Sequence, residues 1–313
     1  MVETNLDVFE TVETFPNRLA GQRYDALVGL DVGLDEVKHR LLTEARLLLN
    51  PTLLEQWSMR HHRQVLPVVE AFRERAPLFV FGGDVGTGKT ALAETFGQAL
   101  AKAEHIPVTL MRLSLNARGS GRVGEMTSLI SQAFREVGDA VVRPRNSEKP
   151  ASAVILLIDE ADALAQSREL AQMHHEDRAG VNALIRGVDH LKADRLPVLV
   201  VMCTNRPSAI DPAIHRRAAA VFDFGRPSNE QRAEVLRKAF GGMNLAAHDL
   251  ARLVELTGPT NGRSYGYTYS DLTMRLIPAA VIDAFPDTPL RVTRMAEIIA
   301  QNPPTAPFKE GGQ

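Results

Sequence analysis

The sequence predicts an α/β fold: a five-stranded parallel sheet with helices on both faces, followed by a small all-helical unit. Three observations carry the prediction. Short apolar runs alternate with segments of helical period up to residue 224; a glycine-rich loop separates the first run from the helix after it; strand-like runs cease after Pro227.

The strands fall in order at 78–81, 108–115, 154–158, 198–203 and 220–224. Each is a nearly unbroken apolar stretch, as expected of a parallel strand buried on both faces. Between the second and third, Met126, Leu129, Ile130, Ala133, Phe134 and Val137 recur at helical spacing and form one buried face. Val181, Leu184, Ile185, Val188 and Leu191 repeat that pattern before the fourth. Beyond Pro227, segments 230–240, 248–256, 270–285 and 293–300 read as helices, with a loop over 258–266 rich in Gly, Pro, Asn and Ser. The expected organisation is an N-terminal extension (1–23), a large domain (24–225), a small helical lid (226–301) and a disordered Pro- and Gly-rich tail (302–313).

Composition narrows the class. The chain has 313 residues, 44% of them hydrophobic and 24% charged, so it reads as globular rather than disordered or fibrous. Lys plus Arg (36) against Asp plus Glu (38) gives a net charge of −2, without the diffuse basic field of a nucleic-acid binder. The single cysteine, Cys203, lies in an apolar run and can form neither an internal disulfide nor a thiolate cage, which fits a reducing, cytoplasmic setting. The start carries Glu3, Asp7, Glu10 and Glu13 before any cation, unlike a targeting signal. No apolar run approaches the roughly 20 residues that span a bilayer.

Gly83-Asp84-Val85-Gly86-Thr87-Gly88-Lys89-Thr90 fits the phosphate-loop pattern G-x-x-x-x-G-K-[ST], with a strand before it and a helix after it. Glycines let the backbone curl so that successive N–H groups face phosphate oxygens, and the helix that continues through Ala91 adds its positive end. Lys89 supplies charge to the outer phosphates of ATP, and Thr90 offers a hydroxyl to Mg²⁺. The strand 154–158 ends in Asp159-Glu160, the second half of such a site. Asp159 is placed to hold Mg²⁺, and Glu160 to orient and polarise the attacking water. Asp159-Glu160-Ala161-Asp162 also spells a helicase tetrapeptide, but the remaining chain has no room for a second nucleotidase lobe.

From about Tyr24 to Ala300 the sequence resembles the AAA+ ATPases. Val28-Gly29-Leu30 is similar to the segment that lies on the adenine in that family, which implies nucleotide contacts from Val28 and Gly29. The run 198–203 followed by Thr204-Asn205-Arg206-Pro207 resembles the strand called sensor 1, implying that Asn205 helps hold water and γ-phosphate. The stretch 210–217 resembles the segment that delivers an arginine finger to a neighbour's ATP, through Arg216 or Arg217. A site completed by a neighbour requires a closed head-to-tail ring, and the resemblance implies a homohexamer. Two positions depart from the pattern: no arginine stands at the first turn of the lid helix, where Arg275 is the nearest candidate, and Arg122 replaces an aromatic before Val123-Gly124-Glu125 in the loop that resembles a substrate-gripping pore loop.

Within the family, Leu164-Ala165-Gln166-Ser167-Arg168-Glu169, the helix 178–191, Arg217-Ala218 and Gly225-Arg226-Pro227-Ser228 resemble the pachytene-checkpoint remodellers in a short bacterial form. The resemblance implies a HORMA-domain protein as substrate, one that regulates a cyclic-oligonucleotide synthase in antiphage defence. The competing readings are a nucleic-acid-directed AAA+ loader or initiator and an activase of the red-type Rubisco kind. His174-His175-Glu176-Asp177 and His61-His62-Arg63 lack metal-ligand spacing and read as solvated loops; Trp57 reads as packing in the N-terminal helical segment.

Overall fold

The computed structural model of the chain describes residues 8–16, 33–114, 125–141, 149–161, 175–243 and 245–308. The chain divides into two units: residues 1–24, 37–82 and 90–222 form the first, and residues 25–36, 83–89 and 223–313 the second.

The first unit is built on the sheet. Strands β1 (Phe9–Phe15), β2 (Leu78–Gly83), β3 (Val108–Leu113), β4 (Ala153–Ile158), β5 (Val198–Thr204) and β6 (Ala220–Phe224) lie in the order β1-β3-β4-β5-β2-β6; Gly83 and the end of β6 are counted in the second unit. β3, β4, β5 and β2 pair in parallel, each with the next. Every residue of β4 and β5 is buried, which is why they read as unbroken apolar runs.

The expected sheet has five strands; the structure adds a sixth, β1, antiparallel to β3, so the sheet is mixed. The sequence Phe-Glu-Thr-Val-Glu-Thr-Phe conceals it. Only its two terminal residues are buried, because an edge strand keeps its other side chains in water, and charged residues there block pairing with further chains.

Helices α1 (Asp35–Leu49), α2 (Thr52–His62), α3 (Pro67–Arg73), α4 (Lys89–Glu104), α5 (Glu125–Asp139), α6 (His175–Ala193) and α7 (Pro212–His215) accompany the sheet, the first residues of α1 and α4 being counted in the second unit. The stripes read from sequence are used as expected: Ile130, Ala133, Phe134 and Val137 of α5 share a core with Val181, Leu184, Val188 and Leu191 of α6. His61 and His62 end a helix rather than forming a loop, capped by Arg63 in the left-handed conformation. Trp57, 45% exposed, meets the His62 ring edge-on at 5.3 Å.

The second unit contains α8 (Asn229–Ala239), α9 (Ala247–Leu256), α10 (Ile277–Ala284) and α11 (Val292–Gln301) around a core that includes Leu236, Leu253, Tyr267, Leu272, Met295 and Ile298. A capping box formed by Ser228 and Gln231 starts α8. The expected helix 270–285 is divided: residues Asp271–Leu276 form a π-helical turn before α10. Pro278 explains the change, since it lacks an N–H and its ring crowds the preceding turn, which a wider turn relieves. Residues 302–308, read from sequence as tail, are held here: the Tyr267 hydroxyl donates to Asn302 O and the Thr305 hydroxyl to Asp271.

A close helix crossing offers a check on the first core. A Cβ on Gly187 of α6 would lie 2.3 Å from Cγ of Phe134 on α5. Gly187→Val should cost about 1–3 kcal/mol of stability through overpacking, outweighing the removal of a helix glycine. An unchanged urea midpoint would mean that the ring moves aside.

Candidate nucleotide site

In the first unit, the parallel register aligns the strand ends. Gly82 lies opposite Thr204, and Ile158 opposite Met202, so β2, β4 and β5 finish at one edge, where open α/β sheets bind ligands. Asp159 and Glu160 follow β4 there, and half-buried Asn205 follows β5.

Asp159 is fixed from three directions. Its Oδ1 accepts from the Thr90 hydroxyl (3.2 Å) and from the Glu160 N–H (3.0 Å); its Oδ2 accepts from Arg112 (2.9 Å). Arg112, a charged residue within β3, also reaches Glu94 and Glu10, each at 2.6 Å. Glu160 is exposed and adopts φ 48, a left-handed conformation uncommon for a residue with a side chain. Two oxygens bound side by side to Mg²⁺ lie about 3.0 Å apart. The 3.2 Å between Thr90 Oγ1 and Asp159 Oδ1 suits that hard cation.

The two candidate finger arginines differ. Arg217 forks onto Asp189 of its own chain at 3.0 and 3.2 Å, and this bond raises its pKa. Arg216 is exposed and, among the described residues, makes no side-chain bond.

In the second unit, residues 83–89 form the glycine-rich loop. Gly83 (φ 148) and Gly86 (φ 76) are in conformations that favour glycine, and a Cβ on Gly86 would lie 2.7 Å from Thr268 Oγ1. Buried Lys89 donates from Nζ to Gly83 O (2.9 Å) and Asp84 O (2.7 Å), and the Thr87 hydroxyl donates to Asp84 O (2.7 Å). Val85 is partly exposed and Gly88 rests against Leu34. Ser270 N–H donates to Gly86 O at 3.0 Å.

Arg275, the candidate nearest the first turn of the lid helix, is tied to Asp271 (2.9 Å) and Thr305 (3.2 Å). Buried Asp271 also accepts from the N–H groups of Thr268 (3.0 Å) and Thr305 (3.1 Å) and from the Thr305 hydroxyl (2.7 Å). Burial pushes the Asp271 pKa up, but these bonds prevail and hold it below the ordinary carboxylate value. Val28, Gly29, Arg122 with its loop, residues 164–169 and His174 lie outside the described residues, as do the side chains of His175, Glu176 and Asp177.

A parallel-cored sheet carrying a glycine-rich Lys-Thr loop after one strand and paired carboxylates after another is the architecture of a P-loop ATPase. Comparison with known proteins narrows the class. The ATPase family associated with various cellular activities (AAA) matches residues 79–226. The chain is 47% identical over 309 residues to CD-NTase-associated protein 6 of Escherichia coli (strain MS 115-1), with 98% of each chain covered. Among solved structures, a chain of the E. coli MS115-1 HORMA:CdnC:Trip13 complex matches with a TM-score of 0.88 at 46% identity, covering 98% of this chain and 100% of that one. A Rhizobiales Trip13 structure matches with a TM-score of 0.73 at 41% identity, covering 96% and 100%. The chain belongs to the AAA ATPase family, among its Trip13-like members.

The Asp271 network is testable through pH. A depressed folded-state pKa contributes stability above the unfolded value near 4, and the contribution disappears as pH falls through the folded value. Asp271→Asn should therefore cost about 1–3 kcal/mol at pH 7 and progressively less below about pH 4. Urea unfolding at pH 7 and pH 3 reads the difference; equal deficits would remove the charge from the explanation.

Proposed function

We propose that this protein is a cytoplasmic, homohexameric ATPase that hydrolyses ATP to remodel a partner of the HORMA class, and that this partner regulates a cyclic-oligonucleotide synthase in antiphage defence. The observation that carries the reading is the end-to-end similarity to the Trip13 chain of a HORMA:CdnC:Trip13 complex, covering 98% of this chain and 100% of that one. Similarity confined to a nucleotide-binding domain would support only the chemistry, because one fold hosts many tasks.

Each residue has a distinct role in this reading. Val28 and Gly29 are assigned to the adenine on the sequence resemblance. The loop from Asp84 to Gly88 and the helix start through Ala91 present N–H groups to the phosphates, and Lys89 neutralises their outer charge. Thr90 and Asp159 hold Mg²⁺, which when bound offsets charge on the phosphate oxygens. Glu160 takes a proton from the attacking water, and Asn205 orients that water against the γ-phosphate. Arg216 is the arginine finger, because Arg217 is already held by Asp189 while Arg216 is exposed. A finger acting on a neighbour's ATP makes each subunit dependent on the next, and a closed ring satisfies every site. The domain boundaries carried into this reading are a large domain over 24–225 and a small helical lid over 226–301.

Glu160→Gln should bind ATP, hydrolyse it about 10²- to 10⁴-fold more slowly and retain the HORMA partner in a pull-down. Normal turnover in that variant would overturn the assignment. Arg216→Ala should lower turnover about 10³- to 10⁵-fold, and Arg217→Ala much less. Mixing Arg216→Ala subunits with Lys89→Ala subunits should restore part of the activity, since the second variant supplies a finger to the first. The opposite ranking of the two arginines would transfer the role to Arg217.

A further inference from the structure

We propose that Arg226 and the C-terminal segment 302–308 are positioning elements of the phosphate-binding loop, acting through Asp84. The inference rests on the nucleotide reading of residues 83–90 and extends the site to residues that the loop pattern does not contain.

The argument begins with a charge problem. Asp84 puts a carboxylate inside a loop whose task is to receive a polyanion, and an unpaired negative charge there would repel phosphate. The structure neutralises it. Asp84 Oδ2 accepts from Arg226 Nε at 2.7 Å and from a terminal guanidinium nitrogen at 2.5 Å, and both side chains are largely removed from water, Asp84 being 17% exposed and Arg226 14%. A paired, desolvated carboxylate presents little net field to an approaching phosphate, whereas removing its arginine leaves that charge uncompensated.

The same pair also sets the position of the loop. Asp84 Oδ1 accepts from Val85 N–H at 2.9 Å and from Phe308 N–H at 3.3 Å. The other guanidinium donors of Arg226 reach Gly266 O at 2.6 Å and Thr305 O at 2.9 Å, and its face lies 5.0 Å from the Tyr265 ring. Thr305 is bound in turn by Asp271, two residues from Thr273 in the π turn and adjacent to Ser270, whose N–H donates to Gly86 O. The loop is therefore gripped at residue 84 by Arg226 and the C-terminal segment, and at residue 86 by Ser270. A loop held in shape before its ligand arrives loses less freedom on binding.

The test is ATP affinity, read with a fluorescent ATP analogue and Mg²⁺ on the full chain, alongside the KM and kcat for ATP. Arg226→Ala should weaken binding and raise KM at least about tenfold, with kcat at saturating ATP changed by less than about twofold. Arg226→Lys should recover part of the affinity, because it returns the charge without the fork. Thr305→Val, which removes only the hydroxyl bonds, should raise KM by about two- to threefold. Arg226→Ala with wild-type affinity and an unchanged thermal midpoint would overturn the proposal. If that variant does not fold, wild-type affinity in both Arg226→Lys and Thr305→Val would overturn it instead. Lys89→Ala separates the two levels. Undiminished binding in that variant defeats the reading of the loop itself, whereas binding that needs Lys89 but ignores Arg226 defeats only the positioning role.

Discussion

Complete burial of the central strands is the constraint on which the rest of the structure depends. β4 and β5 expose none of their residues, and β2 none before its last. A strand enclosed on both faces has no position along its length where a polar side chain can be solvated, and burying one without a partner costs several kcal/mol. Polar chemistry is displaced to the carboxyl ends. That is where Asp159, Glu160 and Asn205 emerge, so their placement is a consequence of how the core is packed.

Carboxylates withdrawn from water need their charges balanced locally. Three acidic residues are each paired with an arginine: Asp159 with Arg112, Asp84 with Arg226 and Asp271 with Arg275. Arginine suits each position, since its planar fork can hold a carboxylate and retain donors for other acceptors. Arg112 gathers Glu10 and Glu94 with Asp159, and Arg226 gathers backbone carbonyls with Asp84. Arg216 stands apart from this pattern. It is exposed and, among the described residues, makes no side-chain bond.

The sequence made the buried part of this fold legible and concealed the parts where local pattern and tertiary role diverge. Strands β2, β4 and β5 are apolar because they are enclosed, so pattern and burial agree. β1 escaped because an edge strand is polar by necessity, with Glu10, Thr11, Glu13 and Thr14 between its buried ends. The π turn escaped because the signal from Pro278 alone does not say how the helix adapts. Arg112 and Arg226 could not be recognised from spacing: their carboxylate partners lie 47 and 142 positions away. The local hints were two: a charged residue within an otherwise apolar strand, Arg112, and a carboxylate within the glycine-rich loop, Asp84. The motif residues, by contrast, are legible because their chemistry depends on neighbours in sequence.

Asp159 shows how such a short motif carries geometry as well as chemistry. Its Oδ1 accepts from the N–H of the next residue, closing a tight turn directly after β4. That turn accompanies the left-handed backbone of Glu160, a conformation that costs roughly 1–2 kcal/mol for a residue with a side chain. An extended backbone would alternate the two carboxylates across the sheet, one toward each layer of helices. Here Asp159 is engaged with Thr90 while Glu160, in the left-handed conformation, stays exposed. Adjacent acids can thus have opposite environments, one fixed among cationic and hydroxyl partners and the other in contact with water.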